Sequence, residues 1–400
     1  MPYTTEMYLL NTILYDEAER RRIFPVTEKC VYMAHAGVSP LPRAAVEPME
    51  RFLADSQRRN QESRWAMDRL ADARRNAARL IGAQPEEIAL LGPTSLGLSL
   101  VAQGLPWEAG DEVVYYGDDY PANVYPWTAL THHGVRPIAL RPRVPGYVTW
   151  EAVEAALSSK TRLVALASCN FLTGCRIDVS GIGRQLRERG IWFSLDGIQT
   201  VGAFPTPVEY VDFLSADSHK WMLGPVSAGI FYVRKALHEV LRPTLLGAWN
   251  IHSPGYVAQE NPRFYVGARR YEPGTMNLIG IAGMNGSLEL LLDIGIDAVS
   301  KRLHELRRAL LDGLRPLGYR HCLDDQDVTT NFGDDVLSAI TTVNHSDRDM
   351  KAEVVRLADN GITASFRENR AGRKFIRFAP HFYNTLDDVD RVVSVLSKTS

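Results

Sequence analysis

Short runs of almost uninterrupted apolar residues alternate with helical segments through the middle of the chain. Four such runs are IALLG (88–92), DEVVYYG (111–117), TRLVALAS (161–168) and GIFYVRK (229–235). Between them, GIGRQLRERG (181–190) has helical spacing and ends at a glycine. Strands that are apolar throughout are typical of a parallel sheet covered by helices on both faces. The pattern predicts an α/β fold whose ligands bind beyond the carboxyl ends of the strands.

The rest of the chain predicts a second, smaller domain of mixed helices and strands. Ordered loops rich in Pro, Gly and aromatic residues occupy 236–275. Helical spacing is found at about 43–81, 278–317, 348–360 and 386–397, and short strands at 336–343 and 375–380. We expect an N-terminal segment that packs with the small domain (1–30), a large domain (31–280) and a small α+β domain (281–400).

The charge balance favours a small-molecule partner. Lys and Arg number 45 and Asp and Glu 47, a net charge of -2 that creates no field suited to nucleic acid or an anionic membrane. No uncharged apolar run approaches the ~20 residues of a membrane helix. The first residues show no basic segment followed by a small-residue cleavage site, so we expect no secretory leader. The four cysteines fit neither a zinc-site spacing nor a disulfide framework. We expect a cytoplasmic protein with no metal site, nucleic-acid partner or membrane span.

An acid and a lysine close two further apolar runs. Asp196 ends IWFSLD and Lys220 ends FLSADSHK, with room between them for one helix-containing crossover. A lysine at this position can condense with an aldehyde cofactor, and a carboxylate can keep a pyridine nitrogen protonated. A surface lysine and a helix-capping aspartate are the simpler interpretation of an isolated pair. The neighbouring residues favour the cofactor.

Two groups of residues are candidates for a phosphate site. Ser218 and His219 directly precede the lysine, and the turn PTSLG (93–97) offers Ser95 and the N–H of Leu96 at the start of a predicted helix. The turn lacks the glycine spacing of dinucleotide sites and the Gly-Lys-Ser/Thr ending of nucleotide loops. No Gly-x-Ser-x-Gly elbow is present either. NAD-dependent oxidoreductases, ATP-binding proteins and serine hydrolases are therefore disfavoured.

Eight sequence blocks together resemble class V of the aminotransferases, the fold-type I pyridoxal 5'-phosphate (PLP) group that includes cysteine desulfurases and isopenicillin N epimerase. The blocks are MAHAGVSPLP (33–42), PTSLG, GDDYPANVYPW (117–127), SCNFLTG (168–174), SLDGIQTVGAFP (194–205), SADSHKWMLGP (215–225), RRYEPGT (269–275) and FIRFAPHFYNTLDDVD (375–390). The resemblance implies a large domain with a mostly parallel seven-stranded sheet, a small C-terminal domain and a PLP-dependent homodimer.

The resemblance also implies roles for residues around the cofactor. Lys220 would form the Schiff base with PLP and move the proton at Cα, and Asp196 would pair with the ring nitrogen. The remaining cofactor contacts would be Asn170 and Gln199 near the ring hydroxyl, Tyr120 stacked on the ring, and Ser95, Leu96, Ser218 and His219 around the phosphate. Thr275 would reach the phosphate from the other subunit.

For the substrate, the resemblance implies that Arg377 binds the α-carboxylate, a role suited to a planar bidentate donor. His35 is a further candidate for the same pocket. Arg269, Arg270 and Arg367 are candidates for binding a second carboxylate or a substrate side chain.

The reaction type stays open at the level of sequence. Desulfurases need a mobile cysteine shortly before the carboxylate arginine, and residues 361–377 contain none. A class V aminotransferase or a β-eliminating lyase is therefore expected. An epimerase of the isopenicillin N epimerase type is the alternative, and a cysteine desulfurase or a non-catalytic protein is less favoured.

Overall fold

The computed structural model describes residues 5–324 and 336–398. The strands of the described chain are β1 (Val31–Tyr32), β2 (Ile88–Leu90), β3 (Glu112–Tyr116), β4 (Arg136–Leu140), β5 (Thr161–Ala167), β6 (Trp192–Asp196), β7 (Phe213–Asp217), β8 (Gly229–Val233), β9 (Arg320–His321), β10 (Thr341–Asn344), β11 (Ile362–Thr363), β12 (Ser365–Glu368) and β13 (Lys374–Phe378). Its α-helices are α1 (Thr5–Tyr15), α2 (Glu17–Ile23), α3 (Arg43–Ser56), α4 (Arg64–Ile81), α5 (Thr94–Gly104), α6 (Tyr125–Thr128), α7 (Trp150–Glu154), α8 (Val179–Glu188), α9 (Leu278–Ile294), α10 (Ile296–Leu314), α11 (Met350–Asp359) and α12 (Leu386–Ser397).

Seven strands form the central sheet in the order β2-β8-β7-β6-β5-β3-β4. The pairs from β7 to β4 are parallel, whereas β8 is antiparallel to both β7 and β2. The predicted mostly parallel seven-stranded sheet is confirmed. Strand β4 has no counterpart in the apolar runs, because it is a partly exposed edge strand that begins with the exposed Arg136.

Alternate residues of the central strands enter two separate apolar clusters. Val114 and Leu214 pack on one side of the sheet together with residues of α4 and α9. Val113 and Phe213, their chain neighbours, pack on the other side with residues of α5. Burial of both faces removes any need for polar residues within these strands, which explains the uninterrupted apolar runs.

A second sheet of four antiparallel strands, β12-β13-β10-β9, forms the smaller unit. It shares an apolar cluster with residues of α10, α11 and α12. Strand β1 pairs in parallel with β11, so Val31 and Tyr32 belong to this unit by contact. Helix α9 runs across residue 280 and packs along α3 and α4. A domain boundary at 280 would therefore cut a continuous helix.

The N-terminal helices contact the last helix of the chain and the loop before it. Arg20 forms an ion pair with Asp388 (Nη1 to Oδ2, 3.3 Å) and donates to the carbonyl of Tyr383. The ring of Phe24 stacks on that of Tyr383 with 4.0 Å between centroids. These contacts bring the N-terminal segment against the C-terminal end of the chain.

Two predicted helical stretches are each divided in two. Residues 57–63 separate α3 from α4, and Gly295, with a φ of 83°, separates α9 from α10. The left-handed φ at this junction suits glycine. Within the described residues, no single helix is both long and apolar enough to span a membrane. The one pair that reaches the required length together is α9 with the 296–317 segment, which is bent by 82°.

The carboxyl ends of β5, β6 and β7 lie side by side because these strands are parallel. The start of α5 is held against this edge by Thr94, whose carbonyl accepts from Ser215 Oγ (3.0 Å) and whose Oγ1 accepts from the N–H of Asp217 (2.8 Å). A Cβ at Gly97 would overlap the Ser215 side chain, so glycine permits this close approach. Residues from distant parts of the sequence thereby meet at one edge of the sheet.

Candidate active site

A cavity of about 520 Å³ opens at this edge of the central sheet. Residues from the ends of β5 and β6, from the start of α5 and from the 119–122 loop line it. Strands β12 and β13 of the smaller unit contribute Arg367 and Arg377. Both units of the fold therefore form the cavity, as is usual for sites that enclose a small molecule.

Asp196 is a buried carboxylate at the end of β6. Its Oδ1 accepts a hydrogen bond from the N–H of Ile198 (3.0 Å), and only 4% of the residue is exposed. Burial raises the pKa of Asp196 to about 6, although the bond from Ile198 acts in the opposite direction. A cation placed beside Asp196 in the cavity would be stabilised by this poorly solvated carboxylate.

Lys220 extends into the same cavity from the loop after β7. Its Nζ lies 5.6 Å from the ring centroid of Tyr120, and no ion pair joins it to Asp196 in the described structure. Burial, followed by the positive charges of Arg377 and Arg367, lowers the pKa of Lys220 to about 8, while Asp196 opposes this shift. An amine with this pKa can lose its proton near neutral pH and act as a nucleophile or a base.

The predicted phosphate contacts are only partly brought together. Ser95 and His219 line the cavity, and the imidazole Nδ1 of His219 is hydrogen-bonded to Asp217. Ser218 is fully buried, does not line the cavity, and donates its hydroxyl to the carbonyl of Pro225 (2.8 Å). The N–H of Leu96 donates to the Pro93 carbonyl within the first turn of α5.

Gln199 lines the cavity with its amide held by two hydrogen bonds. Its Oε1 accepts from the indole Nε1 of Trp221 (2.8 Å), and its Nε2 donates to the carbonyl of Ala36 (3.2 Å). Asn170 lines a neighbouring cavity instead, and its Oδ1 accepts from the N–H groups of Leu172 and Thr173.

Arg377 presents an unused donor edge beside Lys220 and Asp196. Its Nη1 donates to the carbonyl of Phe171 (2.6 Å), while its buried Nε and Nη2 have no hydrogen-bond partner in the described part of the chain. Burial and the neighbouring Arg367 lower the pKa of Arg377 to about 9. A bound carboxylate would satisfy the free edge and stabilise the charge.

Of the other arginines named from the sequence, one lies in the cavity and two lie outside it. Arg367 lines the cavity. Arg270 instead forms an ion pair with Glu239 (2.6 Å), and Arg269 lies over the ring of Tyr265.

His35 does not line the cavity, contrary to expectation. Its ring is fully buried, Nδ1 lies 2.9 Å from the Ala379 carbonyl oxygen and Nε2 lies 2.9 Å from the Tyr383 hydroxyl. Both ring nitrogens are thus used in packing the smaller unit against the N-terminal loop. Thr275 is exposed and lines a separate shallow cavity, with its hydroxyl 3.3 Å from Glu62 Oε1.

Asp119 and Cys169 also line the cavity, although the sequence did not single them out. The Asp119 carboxylate accepts from the N–H of Tyr120 (2.7 Å) and from Asn123 Nδ2 (3.2 Å), and burial raises its pKa to about 7. Burial raises the pKa of the Cys169 thiol to about 12. The acidic pair in GDDYPANVYPW was the available signal for Asp119, since it precedes Tyr120, which the resemblance implies would stack on the cofactor ring.

The donor set fits PLP. A buried carboxylate with room beside it, a free lysine amine, an exposed tyrosine face and a helix start with a serine and a histidine converge on one cavity. These groups match a pyridine nitrogen, an aldehyde, an aromatic ring and a phosphate respectively. The unpartnered edge of Arg377 adds a site for a carboxylate.

Comparisons with known proteins agree with this chemistry. The probable cysteine desulfurase of Methanothermobacter thermautotrophicus is 28% identical over 291 residues, which cover 70% of this chain and 71% of that protein. The uncharacterized aminotransferase YcbU of Bacillus subtilis is 26% identical over 388 residues, covering 94% and 96%. The apo cysteine desulfurase from Thermococcus onnurineus NA1 shares the fold, with a TM-score of 0.85 at 22% identity, covering 95% and 97%.

A family model described as aminotransferase class-V matches residues 31–392, almost the whole chain. The match includes Asp196, Lys220 and Arg377, and the fold is the one expected for fold-type I. The chain therefore belongs to the class V aminotransferases, a family of PLP-dependent enzymes.

Proposed function

We propose that this protein acts on an amino acid as a class V aminotransferase or a β-eliminating lyase. The observation that carries the proposal is that the free amine of Lys220 and the unpartnered edge of Arg377 face one cavity. An amino acid held by its carboxylate at Arg377 would bring its Cα within the same enclosed space as the amine. The presence of Asp196 in the same cavity argues against a non-catalytic protein, because ligand binding alone does not require a buried carboxylate.

The residues divide the chemistry between them. PLP, when bound, withdraws electrons from the Cα of an attached amino acid. Lys220 would accept the Cα proton and return it, since its lowered pKa makes the neutral amine accessible near neutral pH. The buried carboxylate of Asp196 would stabilise a positive charge on the ring nitrogen of PLP. Arg377 would bind the α-carboxylate of the substrate and so orient the amino acid in the cavity.

Sulfur transfer is less well supported, even though the relatives above include probable desulfurases. Residues 361–377 contain no cysteine. Cys169 lines the cavity, but its thiol has a pKa of about 12 because it is buried, so little thiolate is present at neutral pH. The thiolate is the attacking form, so this cysteine is poorly suited to accept sulfur from a substrate.

Product analysis separates the candidate reactions. The purified protein, loaded with PLP, is incubated with single amino acids, with and without a keto-acid acceptor. Conversion only with the acceptor indicates transamination, and release of ammonia and a keto acid without it indicates β-elimination. Formation of the D-amino acid would identify an epimerase. Alanine plus sulfide from cysteine, with a thiol added as the reductant, would identify a desulfurase. Absence of any conversion, with PLP bound, would contradict the proposal.

Lys220→Ala is the matching inactive variant. We expect activity to fall by ~10²–10⁴-fold because the group that moves the Cα proton is lost. Lys235→Ala is a suitable control, because that lysine is exposed and pairs with Glu86 at the surface.

We also propose that the active unit is a homodimer. Thr275 lies outside the cavity that contains Lys220, which is compatible with a role in the site of a second copy. Several apolar side chains of the 245–266 region are exposed, namely Leu246, Tyr256, Val257 and Val266. Sedimentation of the PLP-loaded protein tests the assembly: a monomer with full activity would contradict it.

A cytoplasmic location is proposed as well, and it is supported by the four free cysteines.

A further inference from the structure

Arg367 and Arg377 lie on the same face of one β-hairpin. Arg377 pairs with Ser365 in the register of β12 and β13, and Arg367 pairs with Phe375. Because paired residues of antiparallel strands point to the same side, both arginines project from one face, diagonally opposed. That face is the one that closes the cavity containing Lys220.

Each guanidinium has one occupied arm and one open edge. Arg377 uses Nη1 to donate to the Phe171 carbonyl (2.6 Å), and Arg367 uses Nη1 to donate to the Phe366 carbonyl (2.8 Å). Among the described residues, the buried Nε and Nη2 of Arg377 have no hydrogen-bond partner, and the hydrogen bond of Arg367 is the one from Nη1. The Nε–Nη2 edge of a guanidinium matches the two oxygens of a carboxylate. The hairpin therefore offers two such edges where one amino-acid carboxylate needs only one.

The two edges converge on the same part of the cavity. A methyl group at Gly37 would lie 3.9 Å from Nη2 of Arg367 and 3.9 Å from Nη2 of Arg377. In the described part of the chain, neither arginine has a carboxylate within ion-pair distance. Burial lowers the pKa of the half-buried Arg367 as well as that of the more deeply buried Arg377.

The two carboxylates of the cavity, Asp119 and Asp196, accept hydrogen bonds from groups other than the two arginines. Asp119 accepts from the N–H of Tyr120 and from Asn123, and Asp196 accepts from the N–H of Ile198. Asp196 is also the group suited to the ring nitrogen of PLP. A ligand with two acidic groups would supply a counter-charge for both arginines.

We propose that the natural substrate is an amino acid whose side chain carries a second acidic group, bound by Arg367 while Arg377 binds the α-carboxylate. The inference rests on the proposed function and names the substrate class of the same site. A short acidic side chain suits the arrangement, because the two open edges lie close together around Gly37.

Binding of unreactive acids tests the inference directly. The PLP-loaded protein is titrated calorimetrically with succinate and with succinamate, which differ only in that one carboxylate is replaced by an amide. We expect succinate to bind at least ~10-fold more tightly, because a charge-assisted bidentate pair is lost in succinamate. Equal affinities would overturn the inference without any variant being made.

The variant Arg367→Gln tests whether Arg367 causes the preference for succinate over succinamate. We expect succinate and succinamate to bind equally to this variant, while Arg367→Lys retains part of the preference because it keeps the charge but not the planar edge. Arg370→Gln is the matched control: Arg370 is on the same hairpin but pairs with Asp118 outside the cavity (2.9 Å). An undiminished preference for succinate in Arg367→Gln would contradict the assignment.

The inference and the proposed function fail in different ways. Turnover of neutral amino acids as efficiently as aspartate or glutamate, with no preference for succinate, would overturn the inference alone. An Arg367-dependent preference for succinate in a protein that converts no amino acid would overturn the proposed function alone.

Discussion

The indole N–H of Trp221 donates a 2.8 Å hydrogen bond to Oε1 of Gln199. Trp221 directly follows Lys220 and is fully buried, and its carbonyl lies 3.0 Å from Nε2 of His381. Because Gln199 Nε2 also donates to the Ala36 carbonyl, the two hydrogen bonds fix the orientation of the side-chain amide. The second N–H of Nε2 would then be left for the ring hydroxyl of PLP, and we expect Trp221 to act as a positioning residue for the cofactor.

Trp221→Phe should release the Gln199 amide. We expect the pKa read from a pH titration of the visible absorbance of the PLP-loaded protein to rise, because the donor that stabilises the anionic ring oxygen is no longer held in place. Unfolding free energy should fall by ~1–3 kcal/mol through the unpaired buried amide oxygen. Trp192→Phe, at the opposite end of β6, is the control and should leave the spectral pKa unchanged. An unaltered spectral pKa in Trp221→Phe would remove the positioning role.

Asp196→Asn should change the stability of the PLP-free protein in a pH-dependent way. Burial raises the pKa of Asp196 from 3.8 to about 6 in the folded state, so the folded protein loses stability as pH rises between these values. The loss is ~3 kcal/mol for a shift of this size. The variant cannot ionise and should be more stable than the wild type above pH ~6, with no such gain below pH ~4.

Chemical denaturation of both PLP-free proteins at the two pH values measures the effect. A difference that is the same at both values would show that ionisation of Asp196 is not responsible. In the PLP-loaded protein, the same variant should lower turnover by ~10²–10³-fold, because it removes a preorganised charge.

Ser95→Ala and Ser218→Ala should have different consequences. Ser95 lines the cavity at the start of α5, so its loss should weaken PLP binding, by ~5- to 10-fold for one hydrogen bond to a phosphate. Ser218 donates to the Pro225 carbonyl away from the cavity, so its loss should reduce the unfolding free energy by ~1–3 kcal/mol. Equilibrium dialysis of PLP and thermal unfolding distinguish the two; the reverse pattern would place Ser218 at the phosphate.

His35→Phe should act on stability and not on substrate affinity. The substitution leaves the Ala379 carbonyl and the Tyr383 hydroxyl without their buried partner, at a cost of ~2–5 kcal/mol. We expect the KM for the amino acid to change less than about twofold, since the ring does not reach the cavity. A large increase in KM without loss of stability would return His35 to the substrate pocket.

The central sheet could be predicted because its strands are buried on both faces. Strands β3, β7 and β8 consist entirely of buried residues, and they appear in the sequence as apolar runs. The edge strand β4 could not be found in this way, because its exposed and half-buried residues interrupt the run. The helical spacing at 278–317 is interrupted, but it did not locate the division of α9 from α10 at Gly295, since helical spacing continues on both sides of that residue.

The candidate site could be predicted only in part. Asp196 ends β6, and Lys220 lies in the loop directly after β7, the next strand in the chain and a parallel neighbour of β6. Chain order alone therefore predicts that both residues lie at the same edge of the sheet. The positions of Arg367 and Trp221 depend on residues that are distant in sequence. Arg367 lies near Gly37 in the cavity wall, and Trp221 is hydrogen-bonded to the amide of Gln199.

By itself, the sequence determined the α/β architecture, because apolar periodicity is a local property. Its resemblance to a known family implied the cofactor class and named Asp196 and Lys220 as candidates. Only the tertiary structure decided which polar groups face the cavity and which form hydrogen bonds inside the protein. Ser95 and Arg377 line the cavity, whereas Ser218 and His35 are hydrogen-bonded to buried carbonyl groups. The reason is physical: a side chain is available to a ligand only if no neighbour has already satisfied its hydrogen bonds, and those neighbours come from elsewhere in the chain.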